Sequence, residues 1–307
     1  MEWGKDSMGK FKSGFVTLVG RPNAGKSTLI NAVVGHKVAI TSNTAQTTRH
    51  RFRAIVTNED MQMVMVDTPG LHKPHDALGE ELNTSAIKAM EDVDVVAFLI
   101  DASKPIGRGD EWVAAQVRSV KRTKKILVLT KIDLVKKEMV EEQLEAAKKL
   151  GWWDDIVVLS SKTKFNVDGF VSAVERWLPE GPKWFPEDMD TDQPFEVIVA
   201  EFVREKILRS YRDEVPHSIG VVADQIEYDR KKDMYYVYAV IYVERDGQKG
   251  IIIGKGGEAL KRVGVEARKD LEQMLGCKVF LDMQVKVKKN WRRDLNQIRR
   301  FGYGEGI

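Results

Sequence analysis

GFVTLVGRPNAGKSTLINAVVG, residues 14–35, decides how the first half of the chain is read. It opens as an apolar, β-branched run, turns through glycine and proline, and leaves as the helix-like segment TLINAVVG. Within it, Gly20, Gly25, Lys26 and Ser27 fit the pattern G-x-x-x-x-G-K-[ST], and the strand–loop–helix setting is the one that pattern needs. Glycines let backbone N–H groups turn inward around a phosphate. Lys26 can then reach the outer phosphates of a nucleoside triphosphate, and the Ser27 hydroxyl can ligate Mg2+. Asn23, Ala24 and Thr28 complete the expected loop.

Working outward, continuous apolar runs recur with amphipathic stretches between them. FRAIVTN and MQMVMVD read as two hairpin strands turning at Asn58-Glu59-Asp60. DVVAFLIDA, KKILVLT and DIVVLSS (residues 94–102, 124–130 and 155–161) have the look of strands covered on both faces. Residues 110–120, 136–150 and 167–178 read as helices, so a mostly parallel sheet with helices on both faces is expected. Three further motifs end strands at the same edge, where ligands of α/β sheets bind. DTPG places Asp67 to hold Mg2+ through water and the Gly70 N–H to meet a γ-phosphate. TKID (Thr130, Lys131, Asp133) offers a carboxylate at Asp133 to the N1–H and exocyclic amine of guanine, a pair adenine lacks. SSK (Ser160, Ser161, Lys162) can give a backbone N–H to the guanine carbonyl.

These four motifs in order resemble the G domain of translation-factor-class GTPases. By that resemblance QTTRH (residues 46–50) is the switch segment that gives Mg2+ a second hydroxyl; Thr48 is the preferred ligand and Thr47 the neighbouring alternative. Lys26, Thr48 and Gly70 are then the residues expected to act on the γ-phosphate. The sequence departs from the usual pattern twice. Thr130 stands where such motifs begin with Asn, and its hydroxyl can tie that loop to the phosphate loop. Leu71 follows DTPG, where Ras-type enzymes use a glutamine to orient water. Such GTPases often carry an asparagine at the position of Asn23, which implies a K+ ion between the phosphates.

PEGPKWFPEDMDTDQP, residues 179–194, holds four of the nine prolines and reads as a linker. Beyond it the plan changes to a helix (195–212), two alternating strands (218–228 and 234–244), IIIGKGGEALKR, a helix (263–275) and a last strand (278–288). The glycine loop at Gly254–Gly257 lacks both the dinucleotide spacing and the Gly-Lys-Ser ending. It matches the G-x-x-G of KH domains, in the element order of the type II arrangement. Ile253, Gly254, Lys255, Gly256 and Gly257 would meet an RNA backbone, with Lys261, Arg262 and Arg268 extending the basic surface. From residue 245 onward there are 15 Lys and Arg against 8 Asp and Glu, whereas the rest has 34 against 38. A basic excess confined to one end suits a polyanion. The expected organisation is a tail (1–13), a GTPase domain (14–180), a linker (181–194) and a smaller α+β KH domain (195–307).

The whole chain resembles the Era family of GTPases, through GRPNAGKSTL, TAQTTRHR, DTPGLH, VREKI, YVERDGQK, IGKGG and GVEARKDLE. The resemblance implies GTP and GDP as ligands with Mg2+, binding to the 3′ region of 16S rRNA, and a role in assembling the small ribosomal subunit. It also implies a monomer in the cytoplasm with peripheral association at the inner face of the cell membrane. Cys277, the only cysteine, excludes an internal disulfide and fits a reducing compartment. Two other readings use the same residues: a GTPase acting on a membrane or protein partner through its KH fold, and an RNA-binding protein with a degenerate G domain. His72 and His75 flank a loop without further ligands at metal spacing and are not read as a metal pair. Trp152 and Trp153 are expected to pack at the sheet edge.

Overall fold

The computed structural model describes residues 11–42, 47–50, 52–74, 76–211 and 218–303 of the 307-residue chain. The first unit runs β1 (Lys12–Gly20), α1 (Lys26–Val34), β2 (Phe52–Thr57), β3 (Met61–Asp67), α2 (Ala77–Lys88), β4 (Val95–Asp101), α3 (Arg108–Ser119), β5 (Lys124–Thr130), α4 (Lys137–Lys148), β6 (Asp155–Val158) and α5 (Val167–Trp177). Its sheet has the order β2-β3-β1-β4-β5-β6, antiparallel only between β2 and β3. Apolar runs without alternation fit strands buried on both faces, and all seven residues of β3 are buried. One face packs Leu29 and Ile30 of α1 with Phe170 and Val174 of α5. The other packs Ala86 of α2, Val113 and Val117 of α3, and Ala147 of α4.

The second unit runs α6 (Phe195–Ser210), β7 (Gly220–Asp229), β8 (Met234–Val243), α7 (Asp246–Ile253), α8 (Glu258–Leu275), β9 (Lys278–Val287) and α9 (Leu295–Arg300). Its sheet is β7-β8-β9, antiparallel then parallel. Val199, Phe202 and Val203 of α6 and Val263, Ala267 and Leu271 of α8 close a separate core over Val237 and Ile241. The i, i+4, i+8 spacing on α8 is a buried helical stripe. No helix among the described residues is long and apolar enough to cross a membrane.

Several expectations need correcting. β1 starts at Lys12, inside the segment assigned to a tail, because Lys12 and Ser13 pair with Met61 and Gln62; residues 1–10 lie outside the described residues. Ile251–Ile253, unassigned in the sequence, close a helix, α7, and the following helix begins at Glu258 rather than at 263. The proline-rich segment is fastened to the sheet edge: Ile55 N–H donates to Asp190 O at 2.9 Å, and Gln62 Oε1 accepts from the Trp184 and Phe185 N–H groups at 2.6 and 3.0 Å. Trp153 stacks on Phe98 at 5.6 Å, but Trp152 is 84% exposed.

Among the described residues, the two units meet along residues 37–42, residues 47–50 and α2. Glu205, fully buried on α6, accepts from the Thr41 N–H at 2.9 Å and pairs with Lys37. Arg204, also fully buried, donates to the Thr47 carbonyl and holds Glu201 in two hydrogen bonds of 2.9 and 2.7 Å. Arg49 donates to the Ile219 carbonyl and lies over the rings of Trp291 and Tyr303. Leu78 and Leu82 of α2 pack with Trp291, Ile298, Phe301 and Tyr303 in a small shared core. Buried charges are tolerated only when paired, and here each pair joins the units or braces a residue that does.

His50 is the titratable group of this seam. Its Nε2 is 3.5 Å from Glu201 Oε1 and its ring meets Tyr303 edge-on at 4.9 Å. Burial first, then Arg204 and Arg49, push its pKa from 6.5 down to about 4, against the opposing pull of Glu201. A histidine held neutral when folded contributes stability above its unfolded pKa and loses it on acidification. Stability of the wild type is therefore expected to fall as pH drops from 6.5 towards 4. The His50→Gln variant should show a shallower fall when thermal midpoints are compared across that range, and equal slopes would contradict it.

Candidate functional site

The first glycine loop leaves β1 at Gly20, whose added Cβ would lie 2.6 Å from the Leu99 carbonyl, and enters α1 at Lys26. Asn23 and Gly25 take positive φ (65° and 97°), which turns the loop back on itself and points the free N–H groups of the helix start inward. Thr130 Oγ1 donates to the Ala24 carbonyl at 2.8 Å, so the start of TKID holds the loop. Gly70 lies against the same loop: a Cβ there would sit 2.8 Å from Pro22 backbone atoms. Lys26, Ser27, Thr28, Thr48, Gly70 and Lys131 line one pocket of about 120 Å³.

Three oxygens converge at its floor. Ser27 Oγ lies 3.0 Å from Thr48 Oγ1, and both hydroxyls donate to Asp67 Oδ2, at 2.9 and 3.2 Å. Two ligands on adjacent corners of an octahedron with bonds of about 2.0–2.1 Å stand about 3 Å apart, so the Ser27–Thr48 spacing suits one Mg2+. Asp67 Oδ1 is buried and has no hydrogen-bond partner among the described residues. Burial pushes the Asp67 carboxyl up to about 6, although Lys26, Ser27, Thr48 and the Thr68 N–H oppose the shift. Burial likewise pulls the Lys26 ammonium down to about 8, against Asp67. Phosphate oxygens facing Lys26 and a dication facing Asp67 would each favour the charged form against burial, so the donor set fits a Mg2+–triphosphate group. Thr47, the alternative ligand, also lines the pocket, but its hydroxyl meets Ser42 Oγ at 2.7 Å and its carbonyl meets Arg204.

Beyond the phosphate pocket, Ser160 Oγ donates to Asp133 Oδ1 at 2.6 Å, which fixes one oxygen of that carboxylate. Lys131 is held by Asp101 at 2.7 Å and takes a left-handed φ of 59°. Ser161 and Lys162 follow on the turn after β6. Leu71 is fully buried with Val19, Val66 and Met90, and its N–H donates to the Gly20 carbonyl at 3.1 Å. It is part of the wall behind the site and does not face the pocket. His72 Nδ1 stays near the Gly70 carbonyl at 3.2 Å, and His75 lies outside the described residues.

The second loop is built differently. Gly254 (φ 72°, ψ 175°), Gly256 (φ 61°) and Gly257 (φ 81°) all require conformations that favour glycine. Lys255 and Gly256 are exposed, Ile253 is half-buried above the core, and α8 starts at Glu258. Lys261 and Arg268, seven residues apart, share one exposed flank of α8 beside its buried stripe, and Arg262 lies next to Lys261. Arg268 is eleven residues beyond Gly257, about 16 Å along the helix axis. The loop, Lys261 and Arg262 therefore form one surface, and Arg268 is brought only to its far rim.

Residues of the seam between the units escaped the sequence reading. Arg204, Glu205 and Lys206 lie in VREKI, whose central charges were the available signal: three ionisable residues in an otherwise apolar helical segment need partners. Those partners, at Thr41, Thr47, Lys37 and Asp270, are remote in sequence.

Residues 15–131 match the family model described as 50S ribosome-binding GTPase, and residues 214–292 match that of the KH domain. Two solved structures extend the likeness to nearly the whole chain. One is Era in complex with MgGDPNP and nucleotides 1506–1542 of 16S ribosomal RNA, 38% identical, covering 96% of this chain and 99% of that one with a TM-score of 0.92. The other is a single-residue variant of Aquifex aeolicus Era bound to GDP·AlF4−, 38% identical over 96% of this chain and 100% of that one, with a TM-score of 0.91. With the phosphate loop, the guanine-side carboxylate and the G-x-x-G module in one chain, and identity sustained from end to end, the protein belongs to the Era family of GTPases with a C-terminal KH domain.

Proposed function

We propose that the protein is a GTP-driven RNA-binding switch: it binds GTP with Mg2+, hydrolyses it to GDP and phosphate, and grips the 3′ region of 16S rRNA during small-subunit assembly. The observation that carries this reading is the join at Thr47–Thr48. Thr48 contributes its hydroxyl to the Ser27–Asp67 oxygen cluster, while the preceding carbonyl is held by Arg204 of the KH-side helix. Adjacent residues thus connect the nucleotide to the RNA module.

Lys26 and the N–H groups from Gly20 to Thr28 hold the phosphates, and the Gly70 N–H is positioned to meet the γ-phosphate. Ser27 and Thr48 hold Mg2+ directly and Asp67 orients its shell; the ion neutralises charge between the outer phosphates. Asp133, fixed by Ser160, selects guanine, and Lys131 covers the base. With Leu71 buried, the position after DTPG does not orient water, and Asn23 in the pocket is the proposed K+ contact. Hydrolysis in KCl should exceed that in NaCl at least tenfold, and the Asn23→Ala variant should erase the difference; equal rates in the wild type would sink this part.

Coupling through residues 47 and 48 predicts that RNA affinity differs between GDP and a non-hydrolysable GTP analogue by about 5–150-fold, the usual span of coupling between sites. The Arg204→Met variant should bring that ratio close to one while nucleotide affinity is kept; RNA titrations by fluorescence anisotropy measure both. The Gly254→Asp variant, forced into a backbone region reserved for glycine and given a negative charge, should lose RNA binding by tenfold or more with guanine-nucleotide binding unchanged. Undiminished RNA binding by that variant would instead favour a KH fold that serves as a protein platform. The same reading places the protein in the cytoplasm as a monomer with a peripheral hold on the inner membrane face, supported by the family resemblance and measurable by co-sedimentation with lipid vesicles.

A further inference from the structure

A second cleft, distinct from the phosphate pocket, opens where three parts of the chain meet: the segment after α1, residues 186–191, and helices α6 and α8. It encloses about 660 Å³, within the range of about 300–1,000 Å³ typical of small-molecule sites. Its apolar lining is made by Val38 and Phe202, both nearly fully buried, with Met189 and the partly exposed Met274. Methionines adapt to ligands of different outline. None of these residues belongs to the nucleotide or RNA surfaces described above.

The cleft's inner end already accommodates an ammonium group. Lys37 Nζ lies 4.4 Å from the centroid of the Phe202 ring and pairs with the carboxylates of Glu205 and Asp270. A ring face and carboxylates together are what stabilise an organic cation in a partly dry site. The outer wall repeats the carboxylate half of that arrangement. Asp190 is paired with His36 at 3.2 Å, both about half exposed, and Asp188 has no ion pair among the described residues. An anion placed in the cleft would face Asp188 and Asp190, because Asp270 and Lys37 are already committed, Asp270 to both Lys37 and Lys206.

We infer that this cleft binds a small organic ammonium ion with an apolar body. The carbon skeleton lies against Val38, Phe202, Met189 and Met274, and the ammonium takes Asp188 and Asp190 in place of His36. Because the walls come from both units and from the segment joining them, such a ligand binds this arrangement in preference to any in which the walls are apart. It therefore shifts the population towards it.

The test uses the full chain loaded with Mg2+ and a non-hydrolysable GTP analogue. Saturation-transfer NMR and titration would compare 4-phenylbutylammonium with 4-phenylbutanol and 4-phenylbutyrate, which share its body but not its charge. The ammonium probe is expected to bind at least tenfold more tightly than either. The Asp188→Asn/Asp190→Asn variant should lose tenfold for the ammonium alone, and Met274→Trp, which fills the cleft from an exposed helix position, should block all three. Equal affinity for the three probes, or ammonium binding undiminished in both variants, overturns the inference. Nucleotide affinity, read separately with a fluorescent guanine nucleotide, reports on the phosphate loop, so failure there and failure here are distinguishable.

Discussion

Four consecutive residues, Thr47 to His50, are held from two sides at once. The Thr48 hydroxyl belongs to the Ser27–Asp67 cluster, while Thr47, Arg49 and His50 are committed to Arg204, the Ile219 carbonyl, Trp291, Tyr303 and Glu201. The cost of separating these contacts lies in the charges. Arg49, Arg204 and Glu201 are buried, and a buried ion deprived of its partner costs about 3–5 kcal/mol. The segment cannot leave the metal-side oxygens without disturbing the seam, nor can the seam open without moving Thr48. By thermodynamic reciprocity, a ligand that moved Thr48 would bias the seam, and one that moved the seam would bias Thr48 by the same coupling free energy.

The two glycine loops solve one problem in two dielectric settings. Both remove side chains so that backbone can approach phosphate. At the first loop Lys26 is buried and its ammonium is pulled down to about 8, so an anion beside it favours the charged form. A compact triphosphate with its cation supplies that. At the second loop Lys255 is exposed on a surface bordered by Lys261 and Arg262. Charge there acts through solvent, is screened by salt, and suits a long polyanion lying across it. Glycine is required in each case by positive φ, at Gly25 in one loop and at Gly254, Gly256 and Gly257 in the other.

Most of the first unit was legible because its signals are local. Apolar runs of six or seven residues bounded by turns marked the strands, and motif order marked the ligand edge. Asn58, whose Oδ1 accepts from the N–H groups of Asp60 and Met61, shows why that turn could be read directly. The second unit was legible in outline, but the helix that Ile251–Ile253 close went unassigned. Three isoleucines before a glycine resemble a strand end, yet they close a helix. The cue lay upstream in Gln248, whose Oε1 accepts from the N–H groups of Glu244 and Arg245 and starts a helix immediately after β8. Capping of that kind is a sequence signal.

Residue types at fixed short spacings were enough to define the two chemistries: which loop can cradle a nucleotide, which base it can select, and which loop can lie against RNA. Backbone geometry at a glycine or a helix start is decided within a few residues, so those features need no knowledge of the fold. Folding in three dimensions was needed to show that Thr48 and not Thr47 joins Ser27 and Asp67, that Leu71 turns into the core, and that VREKI grips the switch segment. Each of those outcomes pairs residues more than fifteen positions apart, and the pairing is enforced by the need to satisfy buried charges and carbonyls. No local pattern records where a partner will be found once the chain has folded.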